Sequence, residues 1–152
     1  MTDEKQALSI DEQQSIAEAV LRLVAQYPDF PKSITTSRIH LDDLKETEDI
    51  GIFPTSGAVV TKRYISGSFE AQFPFSIFYK CLPTNNAAVI SKRDMLDDLA
   101  KWLEGMSYPA LSDGRKIQSI QRTTTITLVA KDESGEAVFR CDFTLKYIKK
   151  RS

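Results

Sequence analysis

A chain of 152 residues with 41% apolar and 27% charged residues has the length and balance of one folded domain and is too apolar for a disordered one. Its formal net charge of -1 excludes the bulk basicity that draws a protein onto nucleic acid or an anionic membrane. The polar, acidic start "MTDEKQALSIDEQQ" lacks the basic and apolar regions of a signal peptide, and no apolar run approaches membrane-spanning length. The expectation is an intracellular, soluble protein forming a single domain over residues 1–152.

Residues 9–27 open with Ser9 and Glu12 at capping-box spacing, where each side chain can satisfy the other's backbone donor. Ile16, Val20, Leu23, Val24 and Tyr27 then share one helical stripe, and Pro28 and Pro31 stop the helix. Residues 32–41, rich in β-branched side chains, read as a strand. The acidic stretch "DDLKETED" at 42–49 reads as a mobile loop. "IGIF" and "AVVTKRYI", separated by "PTSG", make two short strands or a hairpin.

The segment 67–81, "GSFEAQFPFSIFYKC", alternates strictly. Phe69, Ala71, Phe73, Phe75, Ile77, Tyr79 and Cys81 share one face, and Glu70, Gln72, Pro74, Ser76, Phe78 and Lys80 the other. Two features break the pattern: Pro74 cannot donate to a ladder, and Phe78 lies on the polar side. "PTNN" at 83–86 ends the strand. A second helix follows, with Ser91 as its cap and Asp94 in its first turn. Met95, Leu96, Leu99, Trp102 and Leu103 form its stripe, and Gly105 is placed to take a left-handed stop. Asp97 and Asp98 fall on its solvated side. After a connecting loop with an Asp113–Gly114 turn, 117–131 and 137–150 form a long hairpin joined by "DESGE". In its second arm Ala137, Phe139, Cys141, Phe143, Leu145 and Tyr147 alternate with Val138, Arg140, Asp142, Thr144 and Lys146.

Helix, strands, helix and long hairpin make an α+β fold: a two-layer sandwich in which two main α-helices cover one face of an antiparallel or mixed sheet. The other face has no helix left to cover it and must meet water or a partner. Cys81 and Cys141 fall on the buried side of two strands as free thiols, with a disulfide open only if those strands are neighbours.

Catalytic chemistry has little to stand on. His40 is the only histidine, and no serine or cysteine stands at a recognisable spacing from it. There is no CxxC or histidine pair for a metal, and no glycine-rich phosphate loop. The expectation is no catalysis, cofactor or metal. The terminal "KYIKKRS" reads as edge protection, and the aromatic residues of 73–79 share the core face rather than forming a base-stacking platform.

Several stretches in order carry a resemblance: "DIGIFPTSG" at 49–57, Tyr64, Gly67, "AQFPFSIFYK" at 71–80, "MLDDLAKWLEG" at 95–105, "LSDGRKIQSIQRTTT" at 111–125 and "FTLKY" at 143–147. Taken together they resemble the tail terminator-like minor capsid proteins of long-tailed phages and prophages. The resemblance implies a structural virion protein that forms a ring, commonly of six subunits, on the tail tube. Its partners would be itself, the major tail tube protein and a head connector or completion protein, with DNA passing through unbound and no membrane. Phe78 and Val138, apolar on the uncovered face, are then candidate interface anchors. Asp42, Asp43, Glu46 and Glu48 are candidate channel-facing acidic groups. A head-completion protein is the alternative within the same particle; a small enzyme or a nucleic-acid-binding module is the alternative of another class.

Overall fold

The computed structural model describes residues 6–30, 40–41, 49–82, 86–111, 114–133 and 135–150. The elements are α1 (Ile10–Val24), β1 (His40–Leu41), β2 (Asp49–Pro54), β3 (Val59–Arg63), β4 (Phe69–Cys81), α2 (Asn86–Gly105), β5 (Arg115–Arg122), β6 (Thr127–Lys131) and β7 (Ala137–Lys149). Among the described residues the strands form one seven-stranded sheet. β1, β2, β4, β7 and β5 lie side by side, with β3 on β4 and β6 on β7. Only the short β1–β2 pair is parallel. The fold is α+β, a two-layer arrangement of two helices on a mostly antiparallel sheet with a C-terminal hairpin.

The ladder from Phe69↔Lys149 to Cys81↔Ala137 pairs β4 with β7 along all thirteen residues of each strand. It sets the face of every side chain. Ala71, Phe73, Phe75, Ile77, Tyr79 and Cys81 are buried, opposite buried Tyr147, Leu145, Phe143, Cys141, Phe139 and Ala137. Phe75 and Phe143 stack directly across the ladder at 5.2 Å and 11°. Each fully buried aromatic removes enough apolar surface from water to contribute about 1.5–3 kcal/mol. The same core takes Ile16, Val20, Leu23 and Val24 from α1 and Leu96, Leu99, Ala100 and Leu103 from α2. Tyr27, past the end of α1, meets Trp102 of α2 edge to face at 5.5 Å.

β2 and β3 do not form a hairpin with each other. Both pair with the same edge of β4, β2 against Phe75–Lys80 and β3 against Phe69–Gln72. Pro74 sits where one gives way to the other, and its carbonyl accepts from Thr55 N–H at 3.1 Å. Its missing N–H therefore faces a gap in the ladder, which is why a proline is tolerated in a central strand. The C-terminal hairpin is realised, but its first arm is split into β5 and β6, and Thr123 N–H crosses to Asp142 O at 2.8 Å between them.

Other expectations change. Asp49 belongs to β2 rather than to the acidic loop, is buried, and accepts from Ile50 N–H through its own Oδ1 at 2.9 Å. α2 begins at Asn86, so Ser91 and Asp94 lie inside the helix rather than at its cap. Gly105 ends it without a left-handed φ. A side chain does the capping instead: the Tyr108 hydroxyl donates to Leu103 O at 2.6 Å and accepts from Ile120 N–H at 3.2 Å, fixing the helix end to β5. Asp97 is not a freely solvated residue. It receives Arg122 Nη1 from β5 and Lys101 Nζ at 2.9 Å, and these bonds hold its carboxyl below the usual range.

Ser9 is the N-cap of α1, accepting from Glu12 N–H at 3.2 Å. The reciprocal half of the capping box is not made by Glu12. Its carboxylate accepts from Arg115 Nε and Nη2 at 2.8 and 2.6 Å, from the Tyr147 hydroxyl at 2.9 Å and from Lys149 Nζ at 3.4 Å. α1 is thereby locked to β5 and β7. The thiols lie four residue pairs apart along the ladder, Cys141 opposite Ile77 and Cys81 opposite Ala137. At about 3.3 Å per residue they are beyond the reach of a disulfide, and both stay reduced thiols.

Candidate functional site

Among the described residues both helices lie on the core side, so the second face of the sheet is built from the even positions of β4 and β7. Register sets its neighbours. Phe78 lies opposite Arg140, Lys80 opposite Val138, and Ser76 opposite Asp142, while β2 contributes Phe53 opposite Ser76 and Gly51 opposite Phe78. Phe53 reaches Phe78 from the diagonal, edge to face at 4.8 Å. The Arg140 guanidinium lies over the Phe78 ring, 5.5 Å from its centre.

Arg140 is held there. Its Nε donates to Asp142 Oδ1 at 2.7 Å, and the same oxygen accepts from the Ser76 hydroxyl. Burial pushes the Asp142 carboxyl up, but the hydrogen bonds from Arg140 and Ser76 and the guanidinium charge pull it down further, leaving it below the usual carboxylate range. Asp142 N–H donates to Thr124 Oγ1 at 3.0 Å, which fixes the residues between β5 and β6 to the same spot. The patch is thus an aromatic pair under a positioned cation. Each cation–ring contact of this partly exposed kind contributes about 0.5–1 kcal/mol.

Both candidate anchors fall on this face. Phe78 and Val138 are half-buried rather than bare, and they belong to one patch because Val138 lies two residues before Arg140 on β7. Ser76, expected on the wet side, is fully buried between Phe53 and Asp142. Phe53, Arg140 and Asp142 were not singled out from the sequence. Phe53 stands one residue after the core side chain Ile52, so alternation alone assigns it to the Phe78 face. Asp42, Asp43, Glu46 and Glu48 lie outside the described residues, as do residues 32–39 of the expected strand, and of His40 only the backbone pairing with Gly51 is described.

Among the described residues no group of three or more His, Cys, Asp or Glu side chains is placed to hold a metal ion. An open cleft of about 410 Å³ lies beside α2, lined by Tyr27, Asp29, Ile90, Ser91, Asp94 and Asp98 among others. Burial and the charges of Asp29 and Asp98 push the Tyr27 hydroxyl above its usual pKa, away from the ionised form. Its described lining offers three carboxylates and the hydroxyls of Tyr27 and Ser91. No helix among the described residues is long and apolar enough to cross a membrane. Compared with known proteins, the chain matches no protein-family model and no curated protein.

Proposed function

We propose that the chain is a structural protein of the phage or prophage head–tail junction, which forms a ring at the head-proximal end of the tail tube, stops tail polymerisation and joins tail to head. The observation that carries this reading beyond the sequence resemblance is the second sheet face, on which no helix lies among the described residues. One layer of helices closes one side of the sheet, and the other side presents Phe53, Phe78 and Val138 around a fixed guanidinium. Aromatic groups and arginine at the centre of a patch, with polar residues around them, are the composition of an interface core.

In this reading the protein works by shape and contact. It sits in the virion at the junction, against the tail tube on one side and a head connector or completion protein on the other. Asp42, Asp43, Glu46 and Glu48 line the bore, where their charge repels passing phosphates. Neutralising the four slows DNA ejection; unchanged ejection kinetics remove them from that role.

The reading is tested by adding purified protein to a lysate of phage lacking the gene, in which heads and tails accumulate apart. Wild-type protein restores infectious particles. Phe78→Asp, which buries a charge at the centre of the patch, restores at least about tenfold fewer. A Phe78→Asp protein that folds and complements fully removes the face from the interface.

A further inference from the structure

Two diagonal corners of the sheet are complementary. β3 turns into β4 through residues 64–68, and the turn is held by Tyr64 N–H to Ser68 O at 2.9 Å and Gly67 N–H to Tyr64 O at 3.0 Å. Gly67 takes a φ of 93°, which L side chains rarely adopt. The tip presents Ile65, fully exposed at 108%, beside exposed Tyr64, with exposed Lys62 and Arg63 behind them. Lys62 Nζ lies 5.0 Å over the Tyr64 ring and the Arg63 guanidinium 5.8 Å over Phe69, where its Nη2 also donates to Gln6 Oε1, so each cation is positioned by a ring of its own.

The other corner is the turn from β6 to β7. Every residue of β6 is exposed, including Leu128 and Val129 at 39% and 46%. Leu82, 45% exposed, lies against the same turn, where a Cβ on Gly135 would meet its Cδ1 at 3.8 Å. Asp132, Glu133 and Glu136 here outnumber Lys131 and Lys80. Among the described residues β6 pairs only with β7, so its outer edge faces no strand. The corner also adjoins the helix-free patch, because Ala130 of β6 pairs with Val138 and Thr127 with Arg140.

Within one subunit these corners cannot meet. They stand at opposite ends of the thirteen-residue ladder, about 40 Å apart at 3.3–3.4 Å per residue, and on opposite sides of the β4–β7 pair. A basic, apolar knob and an acidic, apolar seat that cannot pair within a chain can pair between chains. Different patches of identical subunits then make a head-to-tail contact, which closes into a ring when the rotation allows.

We propose that the β3–β4 tip of one subunit docks on the β6–β7 corner of a second copy of this chain. The proposal rests on the ring reading above and supplies the missing half of its interface: Ile65 is covered by Leu82, Leu128 and Val129, and Lys62 and Arg63 face Asp132 and Glu133. Covering one fully exposed isoleucine strengthens association by roughly 10- to 100-fold.

The test is the state of association of purified full-length protein, by sedimentation velocity and native mass spectrometry. Wild type forms closed oligomers at high concentration. Ile65→Asp and Val129→Asp each stay monomeric with an unchanged urea midpoint, since both side chains are exposed. Mixed together, the two variants form a one-to-one dimer and nothing larger, because each keeps the corner that the other lacks. Lys62→Glu with Arg63→Glu weakens association at least about tenfold, and a copy carrying Asp132→Lys and Glu133→Lys restores it. Single variants that associate like wild type, a mixture that yields no dimer, or a wild type monomeric at millimolar concentration each overturn the corner contact. The head–tail reading is decided separately, by particles made without the gene.

Discussion

Replacing Glu12 by alanine tests how α1 is fastened to the sheet. The carboxylate is only 12% exposed and Arg115, its bidentate partner, 6% exposed, so removing the carboxylate strips a buried guanidinium of its bidentate acceptor. Breaking a buried pair in this way costs about 3–5 kcal/mol. The slight exposure argues for the lower end, and the Tyr147 hydroxyl, which loses its acceptor, adds about 1 kcal/mol. Lys149 adds little because it is 35% exposed. The expected loss is about 3–4 kcal/mol, or roughly 10 °C in Tm for a domain of this size. Urea unfolding followed by the fluorescence of Trp102 measures it. Removing Arg115 as well recovers part of the loss, since the buried charge that lost its bidentate acceptor goes with it.

The pH dependence of that loss is fixed in sign. Burial raises the Glu12 carboxyl, but hydrogen bonds from Arg115 and Tyr147 and the charges of Arg115 and Lys149 lower it further, to below its ordinary 4.5. A carboxyl depressed in the folded state stabilises above its unfolded pKa and loses that contribution as pH falls through its folded one. The gap between wild type and Glu12→Ala is therefore full at pH 7 and narrows below about pH 4. A loss under 1 kcal/mol at pH 7, or a gap that widens in acid, would refute this account of the network.

Tyr108→Phe keeps the ring but strips Leu103 O of its donor and Ile120 N–H of its acceptor; urea unfolding should show a loss of about 1–3 kcal/mol. The thiols should be silent in the native protein. Burial pushes the Cys141 thiol up to about 12, and Cys81 is fully buried, so a thiol-reactive dye at pH 8 should label neither before urea and both after it. Leu99→Ala, at a fully buried position of α2, should cost about 2–5 kcal/mol in the same unfolding assay.

What the sequence made legible was what depends on neighbours in the chain. Alternation fixed the two faces of β4 and β7 because successive side chains of a strand point opposite ways, and Phe78 and Val138 could be assigned to the helix-free side without knowing which strands pair. The helical stripe from Ile16 to Val24 was legible for the same reason. The start of α2 was not, because Ser91 and Asp94 imitate a cap inside a helix that begins at Asn86. Glu12 shows the deeper limit. Its spacing from Ser9 matches a local cap, yet its carboxylate goes to Arg115, 103 residues away, and a bidentate guanidinium out of water outweighs one exposed backbone donor. The diagonal contact of Phe53 with Phe78 and the pairing of β2 and β3 with one edge of β4 likewise depend on register, which no single segment encodes. Asp97 looked solvated for want of knowing that β5 brings Arg122 alongside.

The proposed role at the head–tail junction has a direct genetic test. Electron microscopy of particles made by a phage or prophage with the gene deleted tests it most directly. The account predicts filled heads standing free beside tails of abnormal, variable length. Intact, joined particles with tails of normal length would contradict it, and normal-length tails beside heads that have lost their DNA would assign the chain to head completion instead.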